Sequence, residues 1–329
     1  MVFDQPAHNR ASAVAAGLFN PVTGKRNVKS WETDKLFPYL FQFYSEAEQF
    51  LGRRFFYPQP VYRPFVSIEE QNEWMAQSES PGIKKIVENI FTSSVYGSQT
   101  YDEFGGIRIK QAGYLDTNGF MGAVRNYLLS EDGFIESIFD AGDVAISVDK
   151  IKYQNTVARG IVFCEGAASK KNPIWSWVPI TPLKGETLSI SLAEKPDVIF
   201  NRGVYIVPSG ENNTYLVGAT YRPGDQSDGV TDGAKSELVE KTNGLLRIPY
   251  KIHNQNWGIR PSTHDRRPIL GAHPAHENVF IFNGLGTKGV SLAPYFSKVM
   301  TDRLAGHTEI QKEANIERYK SLYSKFSTI

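Results

Sequence analysis

Val279-Phe280-Ile281-Phe282-Asn283-Gly284-Leu285-Gly286-Thr287-Lys288-Gly289 is the stretch on which the reading of the fold turns. Four apolar residues in a row read as a strand. Gly284, Gly286 and Gly289 then fit G-x-G-x-x-G, and apolar spacing over residues 292–304 reads as a helix. Such a turn is a dinucleotide fingerprint only inside a βαβ unit, whose second strand ends in an acid about 20 residues past the last glycine. Here the helix runs into Gly306-His307-Thr308 and a charged tail without an apolar strand, so the literal motif fails. Its physical content survives. Backbone N–H groups converging at a helix N-terminus stabilise negative charge, and an electron-rich group is expected there.

Working outward, Ile161-Val162-Phe163-Cys164 is a second continuous apolar run, followed by Glu165-Gly166-Ala167-Ala168-Ser169. Small residues after the C-terminal end of a buried parallel strand mark a ligand crevice. Val2-Phe3-Asp4 reads as a strand ending in an acid, and Ser12, Ala16 and Gly17 belong to a small-residue loop behind it. Residues 183–221 instead alternate, with a hairpin signal at residues 210–213, and predict antiparallel strands of a second domain. Helices are expected over residues 31–51 (stopped by Gly52), from a capping box at Ser67, over 117–130 and over 232–246. Residues 113–116 read as a turn, residues 256–271 as loop, and the tail from Glu309 as a surface helix.

At 329 residues the chain exceeds what one core usually fills, so two domains are expected. Net charge is +1 with no basic block, which argues against a nucleic-acid partner. Cys164 is the single cysteine, so an internal disulfide and a paired-cysteine metal site are excluded, and it reads as a small buried residue. No metal site is expected. His264, His273 and His276 lack flanking ligands and read as loop histidines. No apolar run approaches membrane-spanning length, and a reducing cytoplasm fits best.

Several ordered segments together resemble the FAD-dependent D-amino-acid, glycine and sarcosine oxidase (DAO) family. Gly258-Ile259-Arg260-Pro261-Ser262-Thr263-His264-Asp265, with Pro268 and Gly271, resembles its G-x-R-P-x-T-x-D-x-x-P-x-x-G segment. Residues 283–294 resemble its closing glycine-rich turn and helix, and Pro182-Leu183-Lys184-Gly185-Glu186 its P-x-(K/R)-G-(E/Q) element. Tyr205-Ile206-Val207-Pro208 with Val217-Gly218-Ala219-Thr220 resembles its substrate-domain hairpin. The resemblance implies an α/β chain of two domains: a Rossmann-like FAD-binding domain (1–35, 140–182, 255–308) interleaved with an antiparallel-sheet substrate or cap domain (36–139, 183–254), and a C-terminal helix (309–329). Asp4 would be the ribose-binding acid of a βαβ unit whose first strand and helix do not precede it. The favoured expectation is that Met1 stands at an internal position of a longer frame and that the chain binds FAD weakly; loss of the pyrophosphate site is the alternative.

The resemblance further implies removal of hydride from the carbon bearing an amine, with the flavin as acceptor and oxygen or another group as final electron acceptor. The substrate would be a small amine or amino acid. Arg260 would hold its carboxylate, a task suited to a planar guanidinium, and Tyr205 would hydrogen-bond the same group. Each also has a structural alternative, an interdomain ion pair for Arg260 and ring packing for Tyr205. Gly284, Gly286, Lys288 and Gly289 would line the flavin's pyrimidine edge, with Gly166 and Gly258 nearby, and Asp265 would order its loop. Two rivals remain: a noncatalytic remnant without flavin, and a tRNA wobble-uridine-modifying oxidase, against which the absent basic excess weighs.

Overall fold

The computed structural model describes residues 1–5, 9–23, 28–210 and 213–327. Gly24, which ends the turn that Asn20-Pro21-Val22-Thr23-Gly24 spells in the sequence, and residues 211–212 of the expected hairpin turn lie outside the described residues. The architecture is mixed α/β with several sheets, as the sequence implies. The largest is a nine-stranded sheet in which Tyr250–Ser262 pairs along Thr181–Leu192, followed on its other edge by Thr214–Gly218 and Arg222–Pro223. Val204–Pro208, Ile199–Arg202, Val61–Pro64, Gly106–Ile109 and Val87–Phe91 complete it. Within it only the Ile199–Arg202 and Val61–Pro64 pair is parallel.

Parallel pairing also occurs outside it, at the continuous apolar run Ile161–Phe163 that implied it and at a second place that the sequence did not announce. Ile161–Phe163 pairs parallel with His276–Asn283, and Val2–Asp4 pairs parallel with Phe134–Glu136. The helices Thr33–Leu51 and Gly289–Leu304 pack together in an apolar cluster that holds Leu36, Leu40, Leu292 and Phe296. The expected start and stop signals act as expected. Ser67 Oγ accepts the Glu70 N–H at 3.3 Å, and Gly52 closes its helix at φ 63°.

Five expectations are corrected. Residues 256–262 are not loop: they continue the strand Tyr250–Ser262, because pairing to Thr181–Leu192 outweighs the poor strand propensity of Asn, Gly and Pro. Gly113–Leu115 is a strand between Leu18–Phe19 and Phe56–Pro58, and the left-handed residue that turns the chain is Gln111, φ 58°. Beside it Gly17, φ 70°, approaches so closely that a Cβ would overlap the Leu115 carbonyl oxygen. Cys164 is exposed, because it follows buried Phe163 and alternation turns it to the other side. Phe50, whose spacing with Leu36, Leu40, Phe43 and Ala47 reads as the end of one apolar helix stripe, is 68% exposed because its helix outruns the core. The tail is not one surface helix: Ile310, Ala314 and Ile316 are buried, the Ala314 carbonyl accepts the Leu270 N–H at 2.8 Å, and its described residues form a 3-10 helix at Ile316–Tyr319 and an α-helix at Lys320–Phe326.

His273 also departs from expectation, ending the strand Ile269–His273 inside an aromatic cluster. Its ring lies 5.1 Å from Trp175, 4.9 Å from Tyr323 and 5.1 Å from His276, and its Nδ1 accepts the Ala275 N–H at 3.2 Å. Burial, helped by His276, pushes its pKa down to about 4. The unfolded chain therefore takes up this proton more readily. The contribution is intact above about pH 6.5 and is lost as pH falls toward 4, by roughly 3 kcal/mol from this group. His273→Phe should lose less Tm between pH 6.5 and 4 than the parent chain. Parallel Tm-against-pH curves for the two proteins would refute the assignment.

Candidate active site

Alternate residues of Thr181–Leu192 point to opposite faces of the large sheet. Leu188 and Ile190 share one face with Val217 and Ile206, and this face packs against Leu238 of the helix Asp232–Asn243. Lys184 and Glu186 lie on it too. The other face carries Gly185, Thr187, Gly218, Tyr205, Gly258 and Arg260, because register sets Gly185 opposite Gly258, Leu183 opposite Arg260, and Gly218 opposite both Thr187 and Tyr205.

Two polar heads lie flat on glycines of that face. The Arg260 guanidinium covers Gly185, where a Cβ would stand only 2.5 Å from Cζ. The Tyr205 ring covers Gly218, where a Cβ would stand 2.5 Å from the hydroxyl oxygen. Arg260 Nη1 reaches the Thr220 carbonyl at 3.5 Å, the long end of a hydrogen bond. Part of the Tyr205 ring stays accessible, yet protein crowds its hydroxyl enough that burial pushes the phenol pKa up, and the Arg260 charge draws it partly back. The two expected site residues are thus electrostatic neighbours. Thr187 was not anticipated. It is 2% exposed, touches the same glycine, and its Oγ1 has no partner among the described residues. An isolated threonine in an alternating strand gives no sequence signal of this.

The remaining expected residues converge on residues 258–262. Asn9 accepts the Ile259 N–H at 3.2 Å, and a Cβ on Gly258 would stand 3.3 Å from Val14. Gly166 follows the strand Ile161–Phe163 and lies against Pro261, while its carbonyl accepts the Asn283 side-chain amide at 2.8 Å. Gly284 and Gly286 form a left-handed turn, φ 74° and 55°, and the Gly286 N–H donates to the Pro261 carbonyl at 2.9 Å. Gly289 opens the helix Gly289–Leu304. Lys288 Nζ donates to Ser30 Oγ at 3.1 Å, and burial, then Arg266 and Arg267, lowers its pKa.

The N-terminal set is more spread. Ser12 is exposed on the short helical turn Ala11–Val14, which packs on Tyr250–Ser262, and Ala16 is buried in the apolar cluster that Tyr205 borders. Asp4 ends its strand in an ion pair with Arg10 at 2.9 Å. Asp265 does order its loop, accepting the Arg267 N–H at 3.0 Å and pairing with Arg318 at 3.3 Å.

The sequence matches the DAO family, described as FAD dependent oxidoreductase, over residues 2–303. It is 34% identical over 133 residues to glycine oxidase of Bacillus licheniformis, an alignment covering 38% of this chain and 35% of that protein. The chain thus matches about a third of the length of such curated relatives. The fold is similar to iminodiacetate oxidase from Chelativorans sp. BNC1, with TM-score 0.75, 17% identity, and coverage of 96% and 91% of the two chains. It is equally similar to glycine oxidase from Geobacillus kaustophilus, with TM-score 0.75, 20% identity, and coverage of 93% and 88%. Family match, fold and convergent glycine turns agree: this chain belongs to the DAO family of FAD-dependent oxidoreductases.

Proposed function

We propose that the chain is the substrate-binding and flavin-contacting part of an oxidoreductase that oxidises the C–N bond of a small amino acid or secondary amine. The observation that carries this reading is the pair of polar heads, Arg260 and Tyr205, laid over Gly185 and Gly218 on one sheet face. A guanidinium with one weak acceptor among the described residues retains donors for the two oxygens of a substrate carboxylate. A tyrosine hydroxyl beside it, held protonated by burial, donates to the same group.

The residues also fit FAD. A left-handed glycine turn leads into a sixteen-residue helix whose N-terminal N–H groups favour negative charge. Partnerless Thr187 Oγ1 suits a ligand on the face that Arg260 and Tyr205 share. Gly166, Gly258, Gly284, Gly286, Lys288 and Gly289 would hold the flavin edge, and Asp4, Ser12, Ala16 and Gly17 the nucleotide end. When bound, FAD supplies the two-electron acceptor for hydride leaving the carbon that bears nitrogen. The chain's own part is positional: Arg260 and Tyr205 fix the carboxylate, which fixes the carbon attached to it.

Arg260→Ala in FAD-loaded protein should raise KM for a carboxylate-bearing amine while leaving flavin affinity unchanged. A lost charge-assisted bidentate contact costs about 1.5–3 kcal/mol, roughly one to two decades in kcat/KM. Arg260→Lys should recover only part, because an ammonium lacks the planar fork. Wild-type efficiency for both variants on a small amino acid would make Arg260 structural.

Gly185→Ala tests the same site without touching a polar group. Its Cβ would displace the guanidinium, and a shift of about 1 Å can cost on the order of a hundredfold. KM should rise as in Arg260→Ala, and an unchanged KM would show that the guanidinium need not lie on Gly185.

A further inference from the structure

Lys184 and Glu186 flank Gly185 in sequence, yet alternation sends both side chains to the face away from Arg260. Lys184 is 0% and Glu186 3% exposed. Lys184 Nζ donates to Ser227 Oγ at 2.9 Å, lies 3.9 Å from Glu186 and 4.0 Å from Asp225, and sits 5.5 Å from the Trp257 ring centroid. The Glu186 carboxylate accepts the Thr231 N–H at 2.8 Å, the Thr231 hydroxyl at 3.0 Å and the Gln255 amide at 2.7 Å. Its backbone holds Thr220 twice, accepting the Thr220 N–H at 3.1 Å and donating to Thr220 Oγ1 at 2.9 Å.

All three attachments act on one segment. Residues 220–231 are tied at Thr220 and Thr231 by Glu186, and at Asp225 and Ser227 by Lys184. Between residues 221 and 230 no side chain is buried, so these polar ties, together with the backbone pairing of Arg222–Pro223 to residues 183–184 and the Gly224 N–H donated to the Pro182 carbonyl at 3.0 Å, take the place of an apolar anchor. At one end, Thr220 offers its carbonyl to Arg260 Nη1. A buried ammonium keeps its partners because losing them leaves an uncompensated charge in a dry interior.

We propose that Lys184, with its ion-pair partner Glu186, is a positioning residue for the carboxylate site: from the far face the pair latches residues 220–231, and through Thr220 it holds the Arg260 guanidinium in place. The proposal rests on the reading of Arg260 as the carboxylate-binding group. The segment adjoins the site at Thr220, whose carbonyl faces Arg260, and part of its order comes from a cation on the opposite face of the sheet. A buried ammonium under a catalytic sheet is therefore part of the specificity apparatus.

Hydrogen exchange at residues 220–231 and the dissociation constant for acetate, measured by calorimetry, test this on the full chain. Lys184→Met should speed exchange in the segment about tenfold or more, while the centre of the Thr181–Leu192 strand stays protected. Acetate affinity should fall by about tenfold, and in FAD-loaded protein KM should rise with kcat within about twofold. Lys184→Arg should restore most of each. Should Lys184→Met fail to fold, Ser227→Ala removes a single tie and should shift exchange and affinity in the same direction, by less. Unchanged exchange in both variants overturns the latch. Faster exchange with unchanged acetate affinity overturns the link to Arg260, provided Arg260→Ala itself weakens acetate. If Arg260→Ala leaves acetate binding intact, the carboxylate reading fails, and the exchange data alone then judge the latch.

Discussion

Thr181–Leu192 is paired along its whole length with Tyr250–Ser262, and the register of that pairing governs everything built on it. A slip of one residue would exchange the faces of every side chain on the strand. Lys184 and Glu186 would then meet the ligand, while Gly185 and Thr187 would lie under the helix Asp232–Asn243. Leu188 and Ile190 resist this, since both are fully buried against Leu238. The apolar side of the sheet thus fixes the polar side. Arg260 is where it is because a cluster of aliphatic residues on the other face cannot be turned outward.

How much of this was legible in the sequence depends on the range of the determining contacts. Strands at Ile161–Phe163 and His276–Asn283 declared themselves as continuous apolar runs, and Ser67 and Gly52 mark helix ends through bonds made within a few residues. Residues 256–262 gave the wrong signal because Asn256, Gly258 and Pro261 are individually poor strand formers. Their conformation comes from a partner some seventy residues away. Gly113 misled in the same way: it allows the strand to pass close to Tyr57 and Phe19 and does not turn the chain. Arg260 and Tyr205 could be named from segment resemblance, but nothing local tells that Thr187 is a buried hydroxyl without a partner.

The site sorts its charges by face, and the two cations have opposite surroundings. Lys184 is enclosed with Glu186, Ser227 and the Trp257 ring, a self-contained set that leaves little for a ligand. Arg260 has a carbonyl at 3.5 Å and the Tyr205 ring nearby, which leaves most of its donors unspent. Compensation on one face and its lack on the other set Lys184 and Arg260 apart, and this contrast is what supports the proposal of Arg260 as a ligand-binding cation, although the residues lie on directly paired strands.

Glycine is what allows the second kind of cation to exist here. Any side chain at position 185 or 218 would fill the volume that the guanidinium and the phenol occupy. Both heads would then stand away from the sheet, farther apart from backbone that now limits their motion. Lying flat, each loses rotamer freedom during folding, so less remains to be lost when a ligand arrives. The same economy recurs at Gly258, which admits residues 9–14, and at Gly286, which reaches the Pro261 carbonyl. The strand segment 258–262 therefore touches the N-terminal loop, the turn after Ile161–Phe163 and the helix-opening turn at once. Small residues, by making room, draw three separate stretches of chain onto the strand segment that carries Arg260.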